Sequence, residues 1–188
     1  MKESITAIIT QYLPRTPHQP HLLLRSNGRL VQLYTNYPCV TGLSARQCAE
    51  HFNQTPCGLT AIPQGNFVNF VLDCDFADRQ ITALAQTFYP TPEALPDRDM
   101  AAYLQYVISV TAAEYPCDAP DVPYTKQETQ LVLWTLYLAE QPPQNRQKRK
   151  AEFITRLSAL LNTYILSQLS MRQKHLLLAA ASVLTPQV

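Results

Sequence analysis

Glycine is nearly missing from this chain, with four residues in 188. So few glycines argue strongly against a glycine-rich phosphate cradle of the kind that binds nucleotides. Charge is also scarce: Lys, Arg, Asp and Glu make up 15% of the residues, against about 25% in ordinary soluble domains. The five cysteines (Cys39, Cys48, Cys57, Cys74 and Cys117) contain no C-x-x-C pair. Scattered thiols in odd number fit neither a disulfide framework nor a zinc site, and they predict a reducing, cytoplasmic setting. Long apolar runs are missing too. The longest, Leu176 to Ala181, falls far short of the ~20 residues that cross a bilayer, so no membrane partner is expected. The apolar stretch within Met1–Thr10 is interrupted by Lys2 and Glu3 and is too short for a secretory segment.

What is present supports a folded protein. Hydrophobic residues reach 46%, too many for wholesale disorder, and the length allows one large or two small domains. Fifteen prolines and 17 glutamines supply breaks and uncharged polar surface. The net charge of +1 hides an asymmetry. Met1 to Ala94 is neutral, with six basic and six acidic residues; Leu95 to Glu140 has two basic and seven acidic residues; Gln141 to Val188 has seven basic residues and one acidic, Glu152. A basic end segment points either to an anionic partner or to the acidic stretch within the same bundle.

The first half reads as mixed α/β. Ile5, Ile8, Ile9 and Tyr12 follow helical spacing, which Pro14 stops. Asn27-Gly28 between Leu22–Arg25 and Leu30–Tyr34 predicts a β-hairpin, because both residues tolerate positive φ. Ser44 is positioned to cap a helix over Ala45 to Phe52. Leu59–Ile62 and Asn66–Leu72 read as strands, followed by a helix from Phe76 to about Phe88. Residues 90–96, punctuated by Pro90, Pro92 and Pro96, read as a linker. Beyond it four amphipathic helices are expected: one on Met100, Leu104, Val107, Ile108 and Thr111; one on Leu131, Trp134 and Leu138; one on Phe153, Leu157, Leu160, Leu161, Tyr164 and Ile165; and one on Leu176, Leu177, Ala180, Val183 and Leu184. The predicted class is α+β, with a small α/β domain over residues 1–89 and a four-helix bundle over 97–188.

Chemistry-bearing motifs are sparse. His18-x-x-His21 lies between prolines with no matching ligand nearby. Asp73-x-Asp75-x-x-Asp78 lacks the glycine and terminal glutamate of a calcium loop and is better read as capping the helix that follows. Cys48 and His51 share a short helix, more consistent with helix surface than with a thiol–imidazole dyad. No catalytic residue, metal site or cofactor is expected.

Two segments remain. In Pro63–Phe70, Gly65 permits a tight turn into a strand that puts Phe67 and Asn69 on one face and Val68 and Phe70 on the other. An exposed aromatic beside an amide suits an unpaired base; a core strand with Asn69 at its edge is the competing reading. In Gln144–Lys150, the cations Arg146, Lys148, Arg149 and Lys150 suit phosphates, with Arg156 about two turns further along the helix. A solvated helix start explains them equally well.

Taken in order, these segments resemble the arginyl-tRNA synthetases. Ser44–Phe52 (SARQCAEHF) and Gly65–Phe70 (GNFVNF) are similar to the short helix and "pGFiNf" strand of that family's N-terminal additional domain. Tyr103–Val107 (YLQYV), Leu157–Tyr164 (LSALLNTY) and Met171–Leu184 resemble helices of its DALR-type anticodon-binding bundle. The catalytic domain that separates these modules in the synthetases has no counterpart, and the family's His and Arg in "YaHaR" fall on Ile108 and Val110. The resemblance implies a non-catalytic protein that binds tRNA or another structured RNA. It also implies that Phe67 and Asn69, in the place of the family's D-loop contacts, and the basic cluster Arg146, Lys148, Arg149, Lys150 and Arg156 are RNA-binding residues. The alternative function is a protein-interaction adaptor built on the bundle, partnered by a protein such as a tRNA-modifying enzyme.

Overall fold

The computed structural model describes residues 22–26, 31–54, 56–87, 123–165 and 168–185. The expected N-terminal helix, the Asn27-Gly28 turn, the His18/His21 pair, the proline-rich linker and the first bundle helix lie outside these residues. The described residues form a mixed α+β structure that divides into two compact units, Met1–Ala77 and Asp78–Val188. The division comes earlier in the chain than the proline run, inside a helix.

Unit 1 is built on a four-stranded antiparallel sheet: β1 (Leu22–Ser26), β2 (Val31–Thr35), β3 (Leu59–Gln64) and β4 (Phe67–Leu72), in the order β1-β2-β4-β3. β1 and β2 pair from Leu22↔Thr35 to Ser26↔Val31, the antiparallel arrangement that the flanking apolar runs predict. β3 and β4 are joined by Gly65-Asn66, with Gln64 opposite Phe67. Gly65 has φ +59, the positive value that a two-residue hairpin turn asks of its first position.

Period-two burial gives the sheet two faces. Leu33, Leu59, Ala61, Val68 and Phe70 point into a core shared with Cys48, Ala49 and Phe52 of α2 (Ala45–Asn53). Phe52 and Phe70 meet edge to face, with centroids 5.0 Å apart. α2 begins as expected. The Ser44 hydroxyl accepts from Gln47 N–H at 3.2 Å while the Gln47 amide oxygen accepts from Ser44 N–H at 2.9 Å. A cap of this kind is worth about 1 kcal/mol. A short helix that apolar spacing does not signal, α1 (Tyr37–Thr41), precedes it and buries Tyr37.

The outer edge of β3 is closed. Asn53, the last residue of α2, donates from Nδ2 to Ala61 O at 2.9 Å and accepts at Oδ1 from Ala61 N–H at 2.8 Å. Two residues on, Pro63 has no N–H to offer.

α3 (Cys74–Gln86) starts slightly before the expected Phe76, and the Asp73 carboxylate accepts from Phe76 N–H at 2.8 Å. The acidic string therefore contributes a helix cap at Asp73. Phe76 packs into the core of unit 1.

Unit 2 comprises residues of α3 from Asp78 onward together with α4 (Lys126–Ala139), α5 (Pro143–Leu161) and α6 (Met171–Leu184). The last three correspond to the last three expected bundle helices and pack against one another. Their apolar stripes are buried, with Trp134, Phe153, Leu157, Leu176 and Leu177 all at 1% exposure or less. α5 differs from expectation at its end. It stops at Leu161 rather than running to Ile165, and Ile165 is 63% exposed. The stripe reaches beyond the helix because Asn162 and Thr163 bond back to Ser158 and Leu160 in closing turns.

Candidate nucleic-acid interface

On the outer face of the sheet, Tyr34 of β2, Asn69 of β4 and Ile62 of β3 lie side by side across three strands. Phe67 sits diagonally from Tyr34, with ring centroids 5.6 Å apart and planes at 85°. The Phe67 ring is 43% exposed, whereas Val68 and Phe70 on the opposite face are buried. The alternation read from the sequence therefore holds for this strand, and Phe67 is not a core residue. Asn69 is half-buried and its amide donates to the Gln64 side-chain oxygen. Ile62 and Val71 are also exposed here. Gln32, Thr60 and Gln64 are exposed polar side chains of β2 and β3, none of them acidic. The face thus offers a ring, a pair of linked amides and apolar flanks.

The basic cluster lies along α5, and the structure gives its members different work. Arg146 turns back to the end of α4, donating from Nε to Gln141 O at 2.8 Å and from Nη2 to Ala139 O at 3.1 Å. It thereby satisfies carbonyls left open at a helix C-terminus, where a cation is also favoured by the dipole. Arg156 places its guanidinium 5.1 Å above the Trp134 ring and pairs with Glu152 at 3.4 Å. Arg149 approaches the same carboxylate at 3.7 Å. Lys148 is exposed and Lys150 half-buried. Glu152 is the one acidic residue of α5, so the helix start is positive. Phe67 and Asn69 belong to unit 1 and the cations to unit 2.

A polar cluster in unit 2 has no counterpart among the motifs read from the sequence. Glu128 is buried, yet its carboxylate accepts from Thr125 N–H at 2.8 Å, Gln173 Nε2 at 2.8 Å and Tyr164 Oη at 3.0 Å. Burial pushes this carboxyl upward, but the hydrogen bonds outweigh it and hold Glu128 below its ordinary value. Tyr164 is pushed upward, first by burial and then by the neighbouring Glu128 charge. Beside it, Arg172 forms a 2.7 Å ion pair with Asp78 and lies over the Tyr124 ring, whose hydroxyl donates to Asp78 at 2.6 Å. Burial and the Asp78 contact push Tyr124 upward as well. The cluster leaves these phenols protonated, each hydroxyl donating to a neighbouring carboxylate. Its sequence signal is Thr125-x-x-Glu128 and Ser170-x-x-Gln173, both of which form capping boxes.

Burial raises Cys48 and Cys57 above the ordinary thiol range, which disfavours the reactive thiolate. Among the described residues no three His, Cys, Asp or Glu side chains are grouped to hold a metal, and no helix is long and apolar enough to cross a membrane. No protein-family model, curated protein or solved structure matches the chain.

Proposed function

We propose that the chain is a cytoplasmic, non-catalytic RNA-binding protein, with tRNA the class of RNA implied by its synthetase-like segments. The observation that carries this reading is the exposed Phe67 ring beside the Asn69–Gln64 amide pair on the outer sheet face. Such a ring accepts the face of an unpaired base, while amides match the donors and acceptors along a base edge. The α5 cations add sequence-independent attraction for phosphates. Because Arg146 and Arg156 also serve the fold, that attraction is assigned chiefly to Lys148, Arg149 and Lys150.

The test is binding of native-host tRNA across a salt series. The Lys148→Ala, Arg149→Ala, Lys150→Ala triple variant is expected to bind more weakly, with a log–log salt slope flatter by about 0.7–0.9 for each phosphate no longer neutralised. Unchanged affinity and slope would remove the electrostatic half of the proposal. An arginine-dependent ATP–pyrophosphate exchange signal would overturn its non-catalytic half. A second reading, protein docking, is favoured by Ile62 and Val71, which extend the exposed face with apolar groups that phosphates and base edges do not need. Sequencing the RNA that copurifies from the native host separates the two.

A further inference from the structure

Unit 2 contains a cleft of about 150 Å³ between the start of α5 and the end of α6. Its apolar lining comes from Leu138, Val183 and Leu184, all buried side chains of the helix core. Its polar lining comes from Arg146, Gln147 and Lys150 of α5, and from Thr185 just past the end of α6. No acidic residue lines it. A volume of about this size accommodates a single aromatic ring, and the cleft is partly open to solvent. Arg146 is already fixed by its bonds to Ala139 O and Gln141 O. Little side-chain freedom is then lost when it meets an anion, the condition under which a charged contact is most effective.

We propose that this cleft binds a small aromatic acid, a single ring carrying a phosphate or carboxylate, with the ring on Leu138, Val183 and Leu184 and the anionic group toward Arg146 and Lys150. The site is built from other elements than the outer sheet face, and it shares Arg146 and Lys150 with the basic cluster of α5.

The test is an NMR titration of the full chain, following the methyl groups of Leu138, Val183 and Leu184. Three probes are compared: phenyl phosphate, inorganic phosphate and benzyl alcohol. Phenyl phosphate is expected to shift these methyls saturably and to bind about tenfold or more tightly than either partial probe, the factor expected when a charged contact and a buried ring act together. Lys150→Ala should weaken phenyl phosphate by about tenfold on the same grounds. Gln147→Trp, an exposed rim position and a charge-neutral change, should block the cleft while circular dichroism remains unaltered. Absence of a saturable methyl shift would overturn the proposal. So would inorganic phosphate binding as well as phenyl phosphate, or either variant binding it like the wild type. Weakened tRNA binding in the Phe67→Ala variant, with phenyl phosphate binding retained, would show that the cleft stands independently of the outer sheet face.

Discussion

The two candidate surfaces differ in what the fold already asks of them. On the outer face of the unit 1 sheet, Phe67 meets Tyr34 edge to face and is 43% exposed. Along α5 of unit 2, Arg146 caps α4 and Arg156 covers Trp134, so members of the basic cluster also hold the helices together. An exposed aromatic with little structural duty is a stronger functional signal than a charge with one. A charge run in a sequence looks the same whether or not its members are engaged.

The largest effect expected is structural and lies in unit 2. Glu128→Ala removes a buried acceptor from three donors and should lower stability by about 3 kcal/mol, measured by chemical denaturation. The pH dependence follows from the same group. Its carboxyl is held below its ordinary value in the fold, so it stabilises the fold above the unfolded-state value of about 4.3. That contribution is lost as pH falls through the lower folded-state pKa. Glu128→Gln should flatten this part of the acid-denaturation curve; an unchanged acid limb would show that the network is not what acid breaks.

Phe67→Ala tests the other side of the comparison. Its tRNA affinity should fall by about 1–3 kcal/mol, the usual value of one stacked base. Its stability should change less, because the ring gives up only a half-exposed edge interaction of about 0.5–1.5 kcal/mol. A large drop in melting temperature with intact RNA affinity would reverse the assignment and make Phe67 a structural residue.

Smaller again are the arginines. Arg156→Ala should cost about 1 kcal/mol of stability by uncovering Trp134 and freeing Glu152, and Arg146→Ala a similar amount through the two carbonyls it leaves open. If either instead altered tRNA affinity alone, the contrast between the two surfaces would fail. Thermal melts and filter binding on the same preparations decide it.

Much of the fold is legible in the sequence because its signals are local. The alternation along Phe67–Leu72, the turn at Gly65, the Ser44 cap and the apolar stripes of α4, α5 and α6 all follow from spacing within a few residues. Two capping boxes are equally local, at Thr125 and Ser170, but stand in the shadow of the apolar stripes beside them. The end of α5 misleads because hydrophobic spacing continues past Leu161 while the backbone turns. What the sequence hides are contacts across long separations. Nothing near Glu128 announces Tyr164 or Gln173 as partners, and even the short step from Arg146 back to the end of α4 carries no spacing signal. The candidate interface is half legible: Phe67 and Asn69 can be paired by period two, but Tyr34, Ile62 and Gln64 join them only through strand register.

The Asn53 contact with Ala61 has a bearing on how unit 1 can be approached. An open sheet edge invites any passing segment to add itself as another strand, and such pairing runs through backbone groups that every residue shares. By answering both outward groups of Ala61 with an amide, and by placing Pro63 two residues further on, the chain denies that route along β3. On this side of the sheet a visitor must then be chosen by side chains on the broad face rather than accepted by the rim. Discrimination between partners falls to the ring of Phe67, the linked amides of Asn69 and Gln64, and their apolar neighbours, none of which is indifferent to what it meets.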